Sequence, residues 1–104
     1  MLDPEFVAVA NVAELPLDSK KLVDVGGKPI LLCHSAGQVY AITNICSHAY
    51  QELCDGRMRH GWIACPTHGA RFDLETGEAL NPPATEPIAT YPVRIVGDTI
   101  EVAA

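Results

Sequence analysis

Two short segments of this chain carry residue types that bind metal. The first is Cys46-Ser47-His48; sixteen residues later comes Cys65-Pro66-Thr67-His68-Gly69. In outline this is C-x-H followed by C-x-x-H. Each half offers one thiolate and one imidazole on a short loop. Two thiolates and two imidazoles can close a tetrahedral zinc site. They can equally hold two irons bridged by two sulfides, both cysteines on one iron and both histidines on the other. Zinc sites favour one half with two cysteines and another with two histidines. Here each half mixes the two residue types, and spacing alone does not separate the options. Cys46, His48, Cys65 and His68 are therefore the candidate metal and cofactor ligands. There is no Ser-His-Asp order, no Gly-rich phosphate loop and no nucleotide fingerprint. No residue is assigned a catalytic role, and the chain is read as something other than an enzyme, with neither flavin nor NAD.

The elements that must position these loops read as strands. Runs rich in Val, Ile, Tyr and Thr lie at Phe6–Ala10, Lys21–Val25, Pro29–Cys33, Gln38–Thr43, Gly61–Ala64 and Ala70–Leu74. Ala89–Val96 and Thr99–Val102 follow as a hairpin around Gly97-Asp98. Turn residues recur at intervals of about ten, the pattern of an all-β sandwich or barrel. Gln38–Thr43 ends just before Cys46 and Gly61–Ala64 just before Cys65, so the two loops are expected side by side at one end of a sheet. Helical signals are confined to a turn at Val12–Leu15, stopped by Pro16, and a second near Tyr50–Leu53. The segment 81–87 holds three of the eight prolines and is expected to be an extended loop.

Composition narrows the function classes. The 104 residues fit a single domain spanning 1–104. Thirteen acidic against seven basic residues give a net charge of -6, which argues against nucleic-acid binding. The same balance suits solubility and encounter with basic partners, Glu52 and Asp55 being the acidic residues nearest the first box. The stretch 29–51 lacks Asp, Glu, Lys and Arg, but its Ser, Gly, Gln, Thr, Asn and His residues exclude a membrane span. The N-terminus MLDPEFVAVA has no basic n-region, no long apolar core and no twin arginine, so a cytoplasmic location is expected. Of the four cysteines, Cys33 reads as a buried inert thiol and Cys54 as a neighbour of the metal site. A Cys33–Cys54 disulfide is not expected in a reducing compartment.

The segment Cys46–Asp73 resembles the cluster-binding region of the Rieske family. The matching features are Cys46-x-His48, the Asp55-Gly56 turn, Cys65-Pro66-x-His68-Gly69, Arg71-Phe72-Asp73 and Thr76-Gly77. The proline loop at 82–87 resembles the third loop that covers the cluster in that family. The resemblance extends over essentially the whole chain. It implies a Rieske fold, an antiparallel β-sandwich or barrel with a cluster-binding subdomain at about 44–73 built from two loops. It implies one [2Fe–2S] cluster of the Rieske type. Two ferric ions, two sulfides and two thiolates sum to zero charge with neutral histidines, which eases reduction relative to a four-cysteine cluster.

Departures from the family pattern refine the expectation. High-potential members carry an extra cysteine in each box, joined as a disulfide; here those positions hold Gln51 and Thr67. A serine and a tyrosine that donate to cluster sulfur there correspond here to Ala70 and Phe72. Fewer donors leave the reduced state less stabilised, so the potential is expected near the low end of the Rieske range, roughly -150 mV. This class resembles the ferredoxins of bacterial ring-hydroxylating dioxygenase systems. That resemblance implies a soluble monomeric carrier between a flavin-dependent ferredoxin reductase and a terminal oxygenase. A small Rieske subunit of a nitrite-reductase-type enzyme is the alternative, and a zinc-stabilised structural module is a third class.

Overall fold

The computed structural model describes residues 5–47, 51–67, 69–82 and 84–104. Ten strands run in chain order: β1 (Phe6–Asn11), β2 (Lys20–Val25), β3 (Lys28–Ser35), β4 (Gln38–Thr43), β5 (Met58–Arg59), β6 (Trp62–Ala64), β7 (Arg71–Asp73), β8 (Thr90–Tyr91), β9 (Val93–Val96) and β10 (Thr99–Ala103). The only helical turns among the described residues are of the 3₁₀ type, at Val12–Glu14 and Leu53–Asp55. The strands form three antiparallel sheets of order β1-β10-β9, β2-β3-β4-β8 and β5-β6-β7. The all-β expectation is met.

The composition of β3 explains the layering. Ile30, Leu31, Leu32 and Cys33 are all fully buried. Successive side chains of a strand point to opposite faces, so an unbroken apolar run needs cover on both. Ile30 and Leu32 pack with Leu15, Ala41, Ile100 and Val102, toward the β1-β10-β9 sheet. Leu31 and Cys33 pack on the other face with Ile42, Ile63, Phe72 and Leu74, toward β6 and β7. The β2-β3-β4-β8 sheet is thus the shared wall of two cores. Ile100 sits wholly buried in the first of them, remote from both boxes. Ile100→Val is expected to cost about 0.5–1.5 kcal/mol in urea denaturation while leaving any bound metal in place.

Three features differ from the sequence-based expectation. The run 89–96 is not one strand. Pro92 splits it into β8, which pairs with β4, and β9, which pairs with β10. Proline has no N–H for the ladder, and its carbonyl instead accepts from the Ala103 N–H at 3.0 Å. The chain changes sheets there. Strand β5 has too few residues to leave a pattern, and it forms because β6 offers it a partner. The turn expected near Tyr50–Leu53 lies instead at Leu53–Asp55; Tyr50 is outside the described residues. The turn at Val12–Glu14 lies where expected, capped by Asn11, whose Oδ1 accepts from the Ala13 N–H at 3.0 Å.

Candidate metal centre

Cys46 and Cys65 stand at equivalent places on two small ribbons. The Cys46 N–H donates to the Gln51 carbonyl at 2.8 Å, and the Cys65 N–H donates to the Ala70 carbonyl at 2.7 Å. Each bond joins residue i to i+5 and closes a four-residue tip, 47–50 in one case and 66–69 in the other. Behind the first tip, Ile45 bridges Glu52 and the Leu53 N–H donates to the Asn44 carbonyl at 2.7 Å. Behind the second, Ala64 pairs with Arg71 in the β6–β7 ladder. His48 and His68 belong to the tips by sequence and lie outside the described residues, as do Ala49 and Tyr50.

The ribbons do not grow from one sheet, which corrects the sequence-based expectation. The first extends β4 of the central sheet, the second β6 of the small sheet β5-β6-β7. What joins them is the core. Cys46 and Cys65 are 0% and 1% exposed, and they share one buried cluster with Cys33, Leu53, Ala70 and Phe72. The small sheet and both ribbons fall within residues 44–73.

The proline loop is tied to both ribbons. The Ser47 hydroxyl donates to the Glu86 carbonyl at 2.6 Å. Asn81 accepts from the Arg71 N–H at 2.7 Å and donates through Nδ2 to the Gly69 carbonyl at 3.4 Å. Ala84 and Ile88 of the same segment enter the buried cluster that holds the two cysteines. Ser47 and Asn81 were not among the residues singled out from the sequence. The "x" of C-x-H and a lone asparagine beside two prolines are weak signals, because their partners lie far along the chain.

The remaining candidates are placed as follows. Gly69 has φ +70°, and its N–H is spent on the Cys65 carbonyl at 3.0 Å, so its role is to close the second tip. Trp62 is half-buried on β6, with the Arg71 guanidinium 5.1 Å from the ring centroid. His34 lies at the far end of β3 from the ribbons, its Nδ1 2.9 Å from the Leu15 carbonyl. His60 sits in the β5–β6 turn with φ +45°. Glu52 and Asp55 are exposed beside half-buried Cys54.

Cys33 and Cys54 are not joined in a disulfide. Burial pushes the Cys33 thiol up to about 12, with nearby Lys20 acting in the opposite direction. A thiol at that value forms almost no thiolate near neutrality. Alkylation of the native protein at pH 8 is accordingly expected to modify Cys54 and spare Cys33 until denaturant is added. Peptide mass mapping reads the outcome; equal labelling of the two would contradict the buried placement of Cys33.

Burial also bears on what the site can hold. A charge buried within an apolar wall is costly unless an opposite charge offsets it. Two buried cysteines at matched ribbon positions, each followed within three residues by a histidine, form a mixed sulfur and nitrogen donor set. The set fits a centre that takes two thiolates and two neutral imidazoles.

A model of the Rieske [2Fe–2S] domain family matches residues 5–92. The ferredoxin component of a naphthalene 1,2-dioxygenase system from Pseudomonas putida is 44% identical over 91 residues, covering 88% of this chain and 85% of the relative. Among solved structures, the ferredoxin of carbazole 1,9a-dioxygenase from Nocardioides aromaticivorans IC177 superposes with a TM-score of 0.89 at 35% identity, covering 94% of this chain and 96% of that one. A chain in a complex of reduced oxygenase and oxidised ferredoxin of carbazole 1,9a-dioxygenase superposes with a TM-score of 0.88 at 25% identity, covering 97% of this chain and 94% of that one.

Proposed function

The chain belongs to the Rieske [2Fe–2S] domain family, and on that premise we propose that it is a one-electron carrier between a flavin-dependent ferredoxin reductase and a terminal aromatic-ring-hydroxylating oxygenase. The observation that carries this reading is near-full-length similarity to dioxygenase ferredoxin components in both sequence and fold. The match spans 85% of the first of those relatives and 96% of the second.

The cofactor of the family is one Rieske-type [2Fe–2S] cluster, which supplies outer-sphere one-electron chemistry when bound. Cys46 and Cys65 would hold it as thiolates and His48 and His68 as neutral imidazoles. The work of the chain is placement. The two ribbons present one thiol each from the base of a four-residue tip. The apolar wall of Leu53, Ala70 and Phe72 keeps water from the cysteines. Ala70 and Phe72 carry no hydroxyl to donate to sulfur, which supports a potential near the low end of the range. The bonds from Ser47 and Asn81 hold the proline loop against both ribbons. A site with every donor position used leaves no place for substrate, which fits a carrier rather than an enzyme.

A cytoplasmic location accompanies this reading. Cys33 and Cys54 stay unpaired, as suits a reducing compartment. No helix among the described residues is long and apolar enough to cross a membrane.

Electron paramagnetic resonance of the reduced protein tests the cofactor, and reconstitution tests the partners. A rhombic signal of low average g-value is expected, together with product formation when reductase, NADH, oxygenase and an aromatic substrate are combined with this chain. A colourless, diamagnetic sample would remove the cluster. A normal signal with no electron delivery to any dioxygenase, but delivery within a nitrite reductase, would move the chain to that other system.

A further inference from the structure

Asn44 is a buried polar residue with half of its side chain accounted for. It is 0% exposed. Its Oδ1 accepts from the Cys54 N–H at 2.9 Å. Its backbone closes the base of the first ribbon, donating to the Pro29 carbonyl at 3.2 Å and accepting from the Leu53 N–H at 2.7 Å. Its Nδ2, by contrast, has no acceptor among the described residues. An unpaired buried amide donor is costly, so its presence wants an explanation.

The ribbon supplies one. Residues 44–46 run antiparallel to 51–53, with Ile45 opposite Glu52. Alternation puts the side chains of Asn44 and Cys46 on one face and Ile45 on the other. Burial agrees: Asn44, Cys46 and Leu53 are buried, Ile45 is partly so and Glu52 is exposed. Residues two apart on a strand are separated by about 6.6 Å, so the Asn44 amide and the Cys46 thiol occupy the same buried side at neighbouring places. Oδ1 is held by Cys54, which fixes which end of the amide is the donor.

We propose that Asn44 is a positioning and tuning residue for the metal centre, its Nδ2–H donating to a sulfide sulfur of the bound cluster. A donor to sulfur stabilises the more negative, reduced state and raises the potential. Ala70 and Phe72 lack such donors, so a single side-chain donor has a large share of the control. The inference rests on the cluster-binding reading above.

The test uses whole protein labelled with ¹⁵N in the side-chain amides of asparagine, reduced and examined by pulsed electron paramagnetic resonance. A ¹⁵N coupling to the reduced centre is expected in the natural protein. It is expected to vanish in Asn44→Asp, which keeps the Oδ1 acceptor for Cys54 and removes the nitrogen. Asn44→Ala provides the same comparison where aspartate excludes iron. In Asn44→Ala the ratio of reduced to oxidised protein, poised at the natural midpoint, is expected to fall about tenfold, which is 59 mV for one electron. A natural protein with a normal rhombic signal and no asparagine coupling overturns the inference and leaves the cluster reading intact. So does an Asn44→Ala protein with lowered thermal stability and an unchanged midpoint, the result of a purely structural role. Absence of any rhombic signal in the natural protein strikes the cluster reading itself.

Discussion

Cys65→Ser is expected to purify without iron, without visible absorption and without a rhombic signal. Sulfur is the reason. A thiolate is soft and readily formed under a metal's charge, whereas a serine hydroxyl is a hard donor that keeps its proton. Cys65 is 1% exposed, so water is poorly placed to fill the vacated position. Loss of the proposed centre would also remove a bridge between ribbons that grow from different sheets. What then holds them is apolar packing and the bonds from Ser47 and Asn81 to and from the proline loop. The variant is therefore expected to melt well below the natural protein, because metal binding to folded chain is folding free energy. Cys54→Ser is the control: that side chain is half-exposed at the edge of the cluster, and its iron content is expected to stay at the natural level. An iron-to-protein ratio unchanged in Cys65→Ser would exclude Cys65 as a ligand.

The two boxes and their order after strands were readable in the chain because they are local. A cysteine and a histidine within three residues need no tertiary information to be seen. The same holds for β3, whose unbroken Ile30–Cys33 run signals cover on both faces. The sheet to which each ribbon belongs was not readable. A strand of three residues such as β6 has no periodicity, and its sheet is decided by β5 and β7, which are no longer than it is. The ties to the proline loop were hidden for another reason. Ser47 and Glu86 are 39 residues apart, and the acceptor is a backbone carbonyl that any residue type would provide. Asn44 carries no distinguishing signal in the sequence, because an asparagine after a strand usually marks a turn. Only its complete burial, with one end of the amide bonded and the other open, sets it apart.

Gly56→Ala tests whether the turn beside the second ribbon is as tightly built as the structure indicates. Gly56 follows the 3₁₀ turn Leu53–Asp55 with φ -84° and ψ 162°, angles open to any residue. Conformation therefore does not demand glycine here; space does. A Cβ on residue 56 would lie 1.8 Å from the Ala64 carbonyl oxygen and 3.1 Å from that of Leu53. Both obstacles are backbone. Ala64 is fixed by its N–H bond to the Arg57 carbonyl at 2.7 Å, and it directly precedes Cys65. Leu53 is fixed by its N–H bond to Asn44, two residues before Cys46. The added methyl must push one ribbon away from the other. Overpacking of this kind costs about 1–3 kcal/mol, and more where backbone must move. For a domain of this size each kcal/mol lowers Tm by roughly 4–8 °C, so a fall of about 5–20 °C is expected. Gly97→Ala separates space from conformation. Gly97 has φ +61° with nothing within 4 Å of an added Cβ, so its cost is the left-handed backbone alone, about 1–2 kcal/mol. Both variants are expected to lose stability, but only Gly56→Ala is expected to lose iron as well, because only there does the strain fall between Cys46 and Cys65. Full iron retention in Gly56→Ala would show that the ribbons tolerate separation, and that the close contact at Gly56 serves the small sheet rather than the metal centre.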